Sequence, residues 1–474
     1  MMNGQFVSRL RPVLVFLIVA ATGACAPVGP DYVQPGVETP PAFKEGQGWK
    51  VARPDEATLP DKWWQIFHDQ TLNALEEQVL LSNQNIAVAE AQYRQAKALA
   101  EASEAARYPA LAQQASATRS RSSANAMNGR GTTANDFTLP ANLSWEIDLW
   151  GRIRRSVEAG KASLQASEAD LAGARLSAQA LLATTFFQLR TADAQIELLR
   201  DTVSYYQKSL AITKNLYAAE VAGQADVLQA ESLLKSAQAS LVDAGVQRTQ
   251  CEHAIALLIG KPASSFSLPA MPLDNAVPVI PGALPSELLE RRPDIRSSER
   301  LMAAANAQIG VVTASYYPTV QLGASFGLEA SEMAQWISWP SRFWAVGPSI
   351  SASVFDGGLR RAQSDQARAA YEASVAAYRQ TVLNAFSEVE DHMAALRLLA
   401  DEAKIREEAR AAASQAAAIT LNQYQAGTVG YLKVFTAQIV ETESKSTVIG
   451  ILGRQMTSSV ALVKALGGGW SPSH

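Results

Sequence analysis

The sequence predicts an α+β chain made of two copies of one unit, each with a helix, a pair of amphipathic strands and a long helical stretch. Three observations lead there. The chain repeats itself at one offset, most of its candidate strands alternate apolar and polar residues, and no proline falls between Ala141 and Lys261 or between Ser349 and Ser471. Alanine, serine and glutamine are abundant while aromatics make up only 7%, a balance that suits long helical rods better than compact globules.

The repeat organises everything else. Tyr108-Pro109 recurs as Tyr317-Pro318, 209 residues later. "LSWEIDLWGRIRR" from Leu143 recurs as "ISASVFDGGLRRA" from Ile350, aligning Gly151 with Gly358 and Arg154 with Arg361. "NLYAAEVAGQADVLQAE" from Asn215 recurs as "NQYQAGTVGYLKVFTAQ" from Asn422, and "AIALLIG" from Ala254 as "ALVKALG" from Ala461. A period of this size is too long for a solenoid unit of ~20–50 residues. The expected domains are a signal segment at 1–24, an extended tail at 25–60, a first repeat at 61–262, a linker at 263–284, a second repeat at 285–470 and a short tail at 471–474.

In chain order, the N-terminus comes first. Arg9 and Arg11 precede an apolar run from Val13 to Ala21 and then small residues, the pattern of an export signal. The run is far below the ~18–20 residues of a membrane-spanning helix. Cys25 falls where cleavage would expose it, after Gly23 and Ala24. Two readings follow: a lipoprotein signal with Cys25 as the acylated first residue, or an ordinary signal that contains a cysteine. Thr22 stands where the lipoprotein pattern usually has leucine.

Strands are expected near 110–121, 137–149, 319–329 and 345–356. From Phe137 to Leu149 the odd positions are apolar and the even ones mostly polar; from Thr319 to Glu329 the even positions are Val, Leu, Ala, Phe and Leu. Val346, Ile350, Ala352 and Val354 alternate with Gly347, Ser349, Ser351 and Ser353. Strict period two makes one face apolar and one polar. The first strand alternates poorly and is expected mainly from its repeat partner. The apolar faces could meet each other in a soluble sandwich or meet lipid in an outer-membrane barrel. Strands of ~10–13 residues are long enough to cross a bilayer at a tilt, and Trp145, Trp150, Trp336, Trp339 and Trp344 suit interfacial belts. Four strands cannot close a barrel, and bare sheet edges cannot sit in lipid, so a membrane-embedded sheet requires oligomerisation.

Long helices should follow each strand pair. Val157, Leu164, Leu171 and Ala178 fall every seven residues with Ala174 and Leu181 between, and Tyr371, Val375, Tyr378, Val382, Ala385 and Val389 step by four and three. That spacing marks a coiled-coil seam. Gly223 and Gly427 are the expected turn glycines, at matching places in the two halves.

Several residues resemble one family. "LPSELLERRPDIRSSERLMAAANAQIGVVTASYYPTVQL" from Leu284 is similar to the signature of TolC-like outer-membrane efflux proteins, in the lipoprotein branch serving resistance-nodulation-division pumps. "CAPVGPDYVQP" from Cys25, "WEIDLWGRIRR" and "FDGGLRRA" resemble the same branch, in the same order, over essentially the whole mature chain. The resemblance implies a homotrimer with a twelve-stranded barrel, four strands per chain, continued by an α-helical coiled-coil tunnel in the periplasm. It implies localisation to the bacterial outer membrane, no cofactor, and a lipid on Cys25 (N-acyl and S-diacylglycerol). The implied partners are a periplasmic adaptor, an inner-membrane resistance-nodulation-division pump and outer-membrane lipid. The implied function is a passive exit duct for drugs or other small molecules, and the same fold also serves as the exit duct of type I protein secretion. In the family the tunnel is closed near the helix turns by polar and acidic side chains. The positions often occupied there by aspartate are Lys433 and Thr436 here, and Asp226 retains an acid in the first repeat. Asp226, Tyr424 and Lys433 are the expected members of a hydrogen-bonded or ion-paired closure; the alternative is that Lys433 faces solvent and packing holds the gate.

Other classes find little support. The formal net charge is −4, which gives no reason to expect nucleic acid. Two cysteines and four histidines leave no disulfide scaffold and no clustered Cys/His metal pattern. Cys251 and His253 are two apart, which on a helix do not face each other, and Asp391-His392 lacks a partner nucleophile. Arg291, Arg292 and Asp294 around Pro293 read as a helix start with charge pairing. No enzyme is expected. A periplasmic coiled-coil scaffold without a pore is the competing non-transport reading.

Overall fold

The structure is a computed structural model that describes residues 27–45, 62–125, 131–273, 276–280 and 291–470. The signal segment, Cys25, part of the 25–60 tail, part of the 263–284 linker and residues 471–474 lie outside the described residues.

The first run of elements is α1 (Gln70–Ser82), α2 (Gln84–Ala105), β1 (Ala110–Gln113), β2 (Ser116–Arg121), β3 (Thr133–Ile147), α3 (Arg152–Ala218) and α4 (Gln224–Leu258). The second is α5 (Pro293–Ala314), β4 (Thr319–Ala330), β5 (Arg342–Ser351), α6 (Leu359–Gln425) and α7 (Tyr431–Ala465). Helices α3 and α6 are both 67 residues long, and α4 and α7 are both 35. Equal lengths at a constant offset are what a duplication leaves when both copies fold alike. At 1.5 Å per residue each longer helix measures about 100 Å. No helix of the described residues is long and apolar enough to cross a membrane.

The chain divides into two compact units, each drawing on both repeats: 1–36, 93–167 and 298–378, and 37–92, 168–297 and 379–474. The first unit holds the sheet. Its order is β1 and β2 together beside β3, then β4, then β5, all antiparallel. The expected 110–121 strand is interrupted at Gln114 and Ala115, although the Gln114 amide still donates to the Pro140 carbonyl at 3.1 Å. Leu143 faces Leu111 and Ala324, and Ala324 faces Val346. Because paired residues share a face and neighbours alternate, the register gathers Leu139, Ala141, Leu143, Trp145, Ile147, Val320, Leu322, Phe326, Trp344, Val346 and Ile350 on one side. In the single chain that side is bare, with Trp344, Val346 and Ile350 at 75%, 63% and 72% exposure. The other side carries Ser116 bonded to Thr138 and Ser325 bonded to Asn142.

The strands end sooner than the alternation suggests, for a local reason. Asp148 and Asp356 are consumed as helix caps. Asp148 accepts from the Ile153 and Arg154 amides at 3.1 and 2.9 Å, and Asp356 accepts from Gly358 at 2.9 Å and Arg360 at 3.4 Å. A carboxylate at a helix start satisfies orphan N–H groups and meets the positive end of the dipole, so β3 stops at Ile147; β5 stops at Ser351, which pairs with Thr319, the first residue of β4 after Pro318. Gly151 makes this turn with φ +81°, and a Cβ there would lie 2.4 Å from Pro27 Cβ.

Pro27 belongs to a tail segment tied down close to the strand ends. The Val28 amide donates to the Trp150 carbonyl, and Arg155 reaches the carbonyls of Val28 and Gly29 and the Asp31 carboxylate, the last at 2.7 Å. Asn306 bonds the Pro30 carbonyl and Tyr32 donates to Glu299.

In the second unit Trp63, Trp64 and Phe67 pack with Phe186 and Phe187, with Phe67 and Phe187 ring centroids 4.8 Å apart. The first repeat has two helices before its strands where one was expected. Asn83 divides them, its side-chain oxygen accepting from Asn85 and Ile86 while its amide donates to the Leu258 carbonyl. Arg292 forks onto Asp294 and also reaches Glu388 and the Ala465 carbonyl, so these charges start α5 and fasten it. Along the long helices Val157, Leu171, Ala178, Tyr378, Val382, Ala385 and Val389 are buried. Leu181 is the correction: it is 54% exposed, and Leu182 and Ala183 are buried instead. A helix of 3.6 residues per turn drifts about 20° per heptad against a 3.5-residue seam, which carries the buried stripe onto the next positions.

Candidate functional site

The expected gate residues lie where α3 turns into α4 and α6 turns into α7. In the first turn Glu220 takes the left-handed conformation, φ +60°, and Gly223 is an extended N-cap residue. In the second, Gly427 takes the left-handed conformation at φ +71° and Gly430 is the N-cap. The pairing of Gly223 with Gly427 is thereby corrected. Gly223 corresponds to Gly430 and Gly427 to Glu220, each 207 residues apart. Glycine is favoured at the left-handed site because it lacks a Cβ; Glu220 occupies that conformation without this advantage.

The same offset makes Asp226 and Lys433 counterparts, both in the first turn of a helix, where each amide bonds the cap residue's carbonyl. Asp226 is half-buried and favoured there by the helix dipole; the Lys433 ammonium opposes it. Lys433 and Thr436 are exposed on α7, and the Thr436 hydroxyl donates back to the Leu432 carbonyl at 2.9 Å. Within the chain Asp226 and Lys433 form no ion pair among the described residues.

Tyr424 sits in a core that the sequence reading sampled only once. Tyr206, Leu210, Ala230, Leu233, Leu234, Ala237, Tyr424, Tyr431 and Val434 bury one another across the four helix ends. The rings of Tyr424 and Tyr431 meet edge to face with centroids 5.3 Å apart. Tyr206 shares a 2.9 Å hydrogen bond with Thr442, and the fully buried Gln438 donates to Ser209 at 3.3 Å. Thr213 stands beside the Tyr424 hydroxyl without meeting hydrogen-bond geometry. Burial pushes the phenols of Tyr206, Tyr424 and Tyr431 above the usual tyrosine range, and the Asp226 carboxylate adds to this for the last two. These tyrosines therefore stay neutral at physiological pH. Tyr206, Tyr431 and Gln438 were missed in the sequence; the signal available was a tyrosine directly after the N-cap glycine, Gly430-Tyr431.

Cys251 is buried and His253 exposed, so they do not face each other. Among the described residues no three His, Cys, Asp or Glu side chains gather to hold a metal.

The family model described as outer membrane efflux protein matches residues 75–261 and 284–468. The solvent efflux pump outer membrane protein SrpC of Pseudomonas putida is 31% identical over 456 residues, covering 95% of this chain and 97% of that protein. The cation efflux system protein CusC of Escherichia coli O6:H1 is 27% identical over 461 residues, covering 96% and 98%. The solved outer-membrane channel OprN superposes with a TM-score of 0.89 at 32% identity, covering 94% of this chain and all of that one. With one unit matched twice, a sheet bare on its apolar side and helix turns closed by a packed core, this chain belongs to the outer membrane efflux protein family.

Proposed function

We propose that three copies close a twelve-stranded barrel in the outer membrane and that their long helices continue it as a periplasmic tunnel. The duct is then the passive exit of an efflux system, docked by a periplasmic adaptor and fed by an inner-membrane pump of the resistance-nodulation-division class. The observation that carries this reading is the sheet: one continuous apolar face is bare in the single chain, and β2 and β5 leave both edges unpaired. Lipid on that face and copies at those edges satisfy both demands at once. Trp145 and Trp150 near one end of the strands and Trp336 and Trp339 near the other fit the two aromatic girdles of such a barrel. Pro27, two residues after Cys25, packs beside the strand-to-helix turn, which suits a lipid anchor on Cys25 entering the membrane at that level.

The polar face would line the lumen. Its charged strand residues are Asp136, Glu146 and Glu329, and Arg152 neutralises Glu146 with a two-pronged contact at 2.9 and 2.7 Å. Two uncompensated carboxylates per copy at the hairpin end favour cations over anions.

The purified full-length protein should have the mass of three chains in detergent and form channels in planar bilayers. Palmitate fed to cells should label it and should fail to label Cys25→Ala. A single-chain particle without conductance would contradict the barrel.

Closure of the tunnel we assign to the tyrosine core, with Asp226 beside it and Lys433 and Thr436 turned outward toward neighbouring copies. Tyr431→Ala should remove about 3–5 kcal/mol of packing and raise the resting single-channel conductance, whereas Asp226→Ala and Lys433→Ala should leave the channel closed. Opening by either charge variant with Tyr431→Ala still closed would favour an ion-paired gate.

A further inference from the structure

The charges of the sheet are sorted by face. On the apolar face the register places Arg119 and Arg121 on β2 and Arg342 on β5, and no acid on any strand. The opposite face carries Asp136, Glu146 and Glu329 and no base. All three arginines lie at the hairpin end, away from the strand ends that lead into α3 and α6. Arg119 pairs with Asn135, Arg121 with Thr133 and Arg342 with Leu328. All three are exposed, and none forms an ion pair among the described residues. Glu332, in the nearby β4–β5 connection, accepts a bond from Gln335 instead. The Arg342 guanidinium carbon lies over the Trp339 ring, 3.8 Å from its centroid.

We infer that these arginines form a binding site for the phosphate groups of lipids in the outer leaflet. The inference rests on the barrel reading above. Arg119 and Arg121 occupy one free edge of the sheet, level with Asn135 and Thr133, and Arg342 the other, level with Leu328 and Leu139, four to six residues nearer the middle of the sheet. When copies meet edge to edge, the arginines of both edges come to the same seam, all on its hairpin side and all facing lipid. Three cations on the hairpin side of a face that meets membrane, with no acid on the strands between them, match anionic headgroups. The guanidinium fork binds phosphate oxygens in pairs, which lysine cannot do. A solvated rim would need no such sorting, since acids would be as acceptable there as arginines.

The test uses the full-length protein in zwitterionic nanodiscs, with bisphosphoryl lipid A and the same lipid stripped of phosphate as probes. Binding is read by native mass spectrometry alongside the oligomeric mass. The wild-type trimer should retain the phosphorylated lipid, and the Arg119→Gln, Arg121→Gln, Arg342→Gln triple variant should bind it on the order of a hundred-fold more weakly, from about five-fold per cation. Conductance should be unchanged. Equal binding of both lipids by the wild-type trimer would overturn the inference and leave the barrel intact. So would a trimeric triple variant that binds like wild type. Should the triple variant fail to assemble, the phosphate preference of the wild type decides alone. A wild-type protein that stays a single chain would sink the barrel and the seam with it.

Discussion

Val346→Arg is expected to keep the protein out of the outer membrane, while Gly347→Arg, one residue on, leaves it inserted with an altered conductance. Val346 faces Ala324, which faces Leu143, so it lies mid-sheet on the apolar side. An arginine facing lipid near the bilayer midplane costs about 2–4 kcal/mol, and three copies make that roughly 6–12 kcal/mol per trimer. Gly347 points to the opposite side, where a Cβ would meet nothing within 4 Å, and an arginine there would stay in water. The measurement is the fraction of each variant that reaches the outer membrane in a density gradient and migrates as a trimer. Insertion of Val346→Arg with loss of Gly347→Arg would mean that the apolar and polar faces have been assigned the wrong way round. Arg342 tolerates the apolar face because it lies four residues nearer the hairpin, about 13 Å at 3.3 Å per residue.

This pair of positions is also where the sequence was most legible. Alternation is a local property, so Val346 and Gly347 could be sorted to opposite sides without any contact map. The duplication sharpened the reading, since equal helix lengths followed from one offset. Legibility failed where a residue serves two masters. Asp148 continues the polar positions of its strand but is captured as a cap by the helix that follows, and the strand ends early. Gly223 looked like the partner of Gly427 because both are turn glycines. One is an N-cap and the other a left-handed residue, and only the backbone angles separate those roles. Contacts between distant segments were invisible altogether. Nothing in "APVGPDY" announces that Asp31 will meet Arg155, or that Tyr424 will find Tyr206 and Tyr431 across the turn. Heptad spacing tells which side of a helix is covered but not what covers it.

The largest unread feature is Glu76, and it predicts a pH effect. Neither the heptad spacing nor the repeat marks it, yet on α1 it joins Leu72, Leu75 and Val79 on the buried side with 0% exposure. Neither carboxyl oxygen has a hydrogen-bond partner among the described residues, and the indole N–H groups of Trp63 and Trp64, on the turn that packs against α1, are also unpaired. Burial without a partner disfavours the charged form and pushes the Glu76 carboxyl up to about 9 from its usual 4.5. The folded value lies above the unfolded one, so the folded state holds an extra proton between them. The stability contribution is fully present below about pH 4.5 and is lost progressively as pH rises toward 9, at about 1.4 kcal/mol per unit. By pH 7.5 that amounts to roughly 4 kcal/mol. Glu76→Gln keeps the shape and cannot ionise, so the difference between wild type and variant should grow from near zero at pH 4.5 in the variant's favour. Glu76→Met should gain more, because it removes a buried polar group left unpaired. Unfolding midpoints of the detergent-solubilised protein at pH 5, 7 and 9 decide the matter. Parallel curves for wild type and Glu76→Gln would mean that the carboxyl titrates as an exposed group does and that water or a partner reaches it in solution.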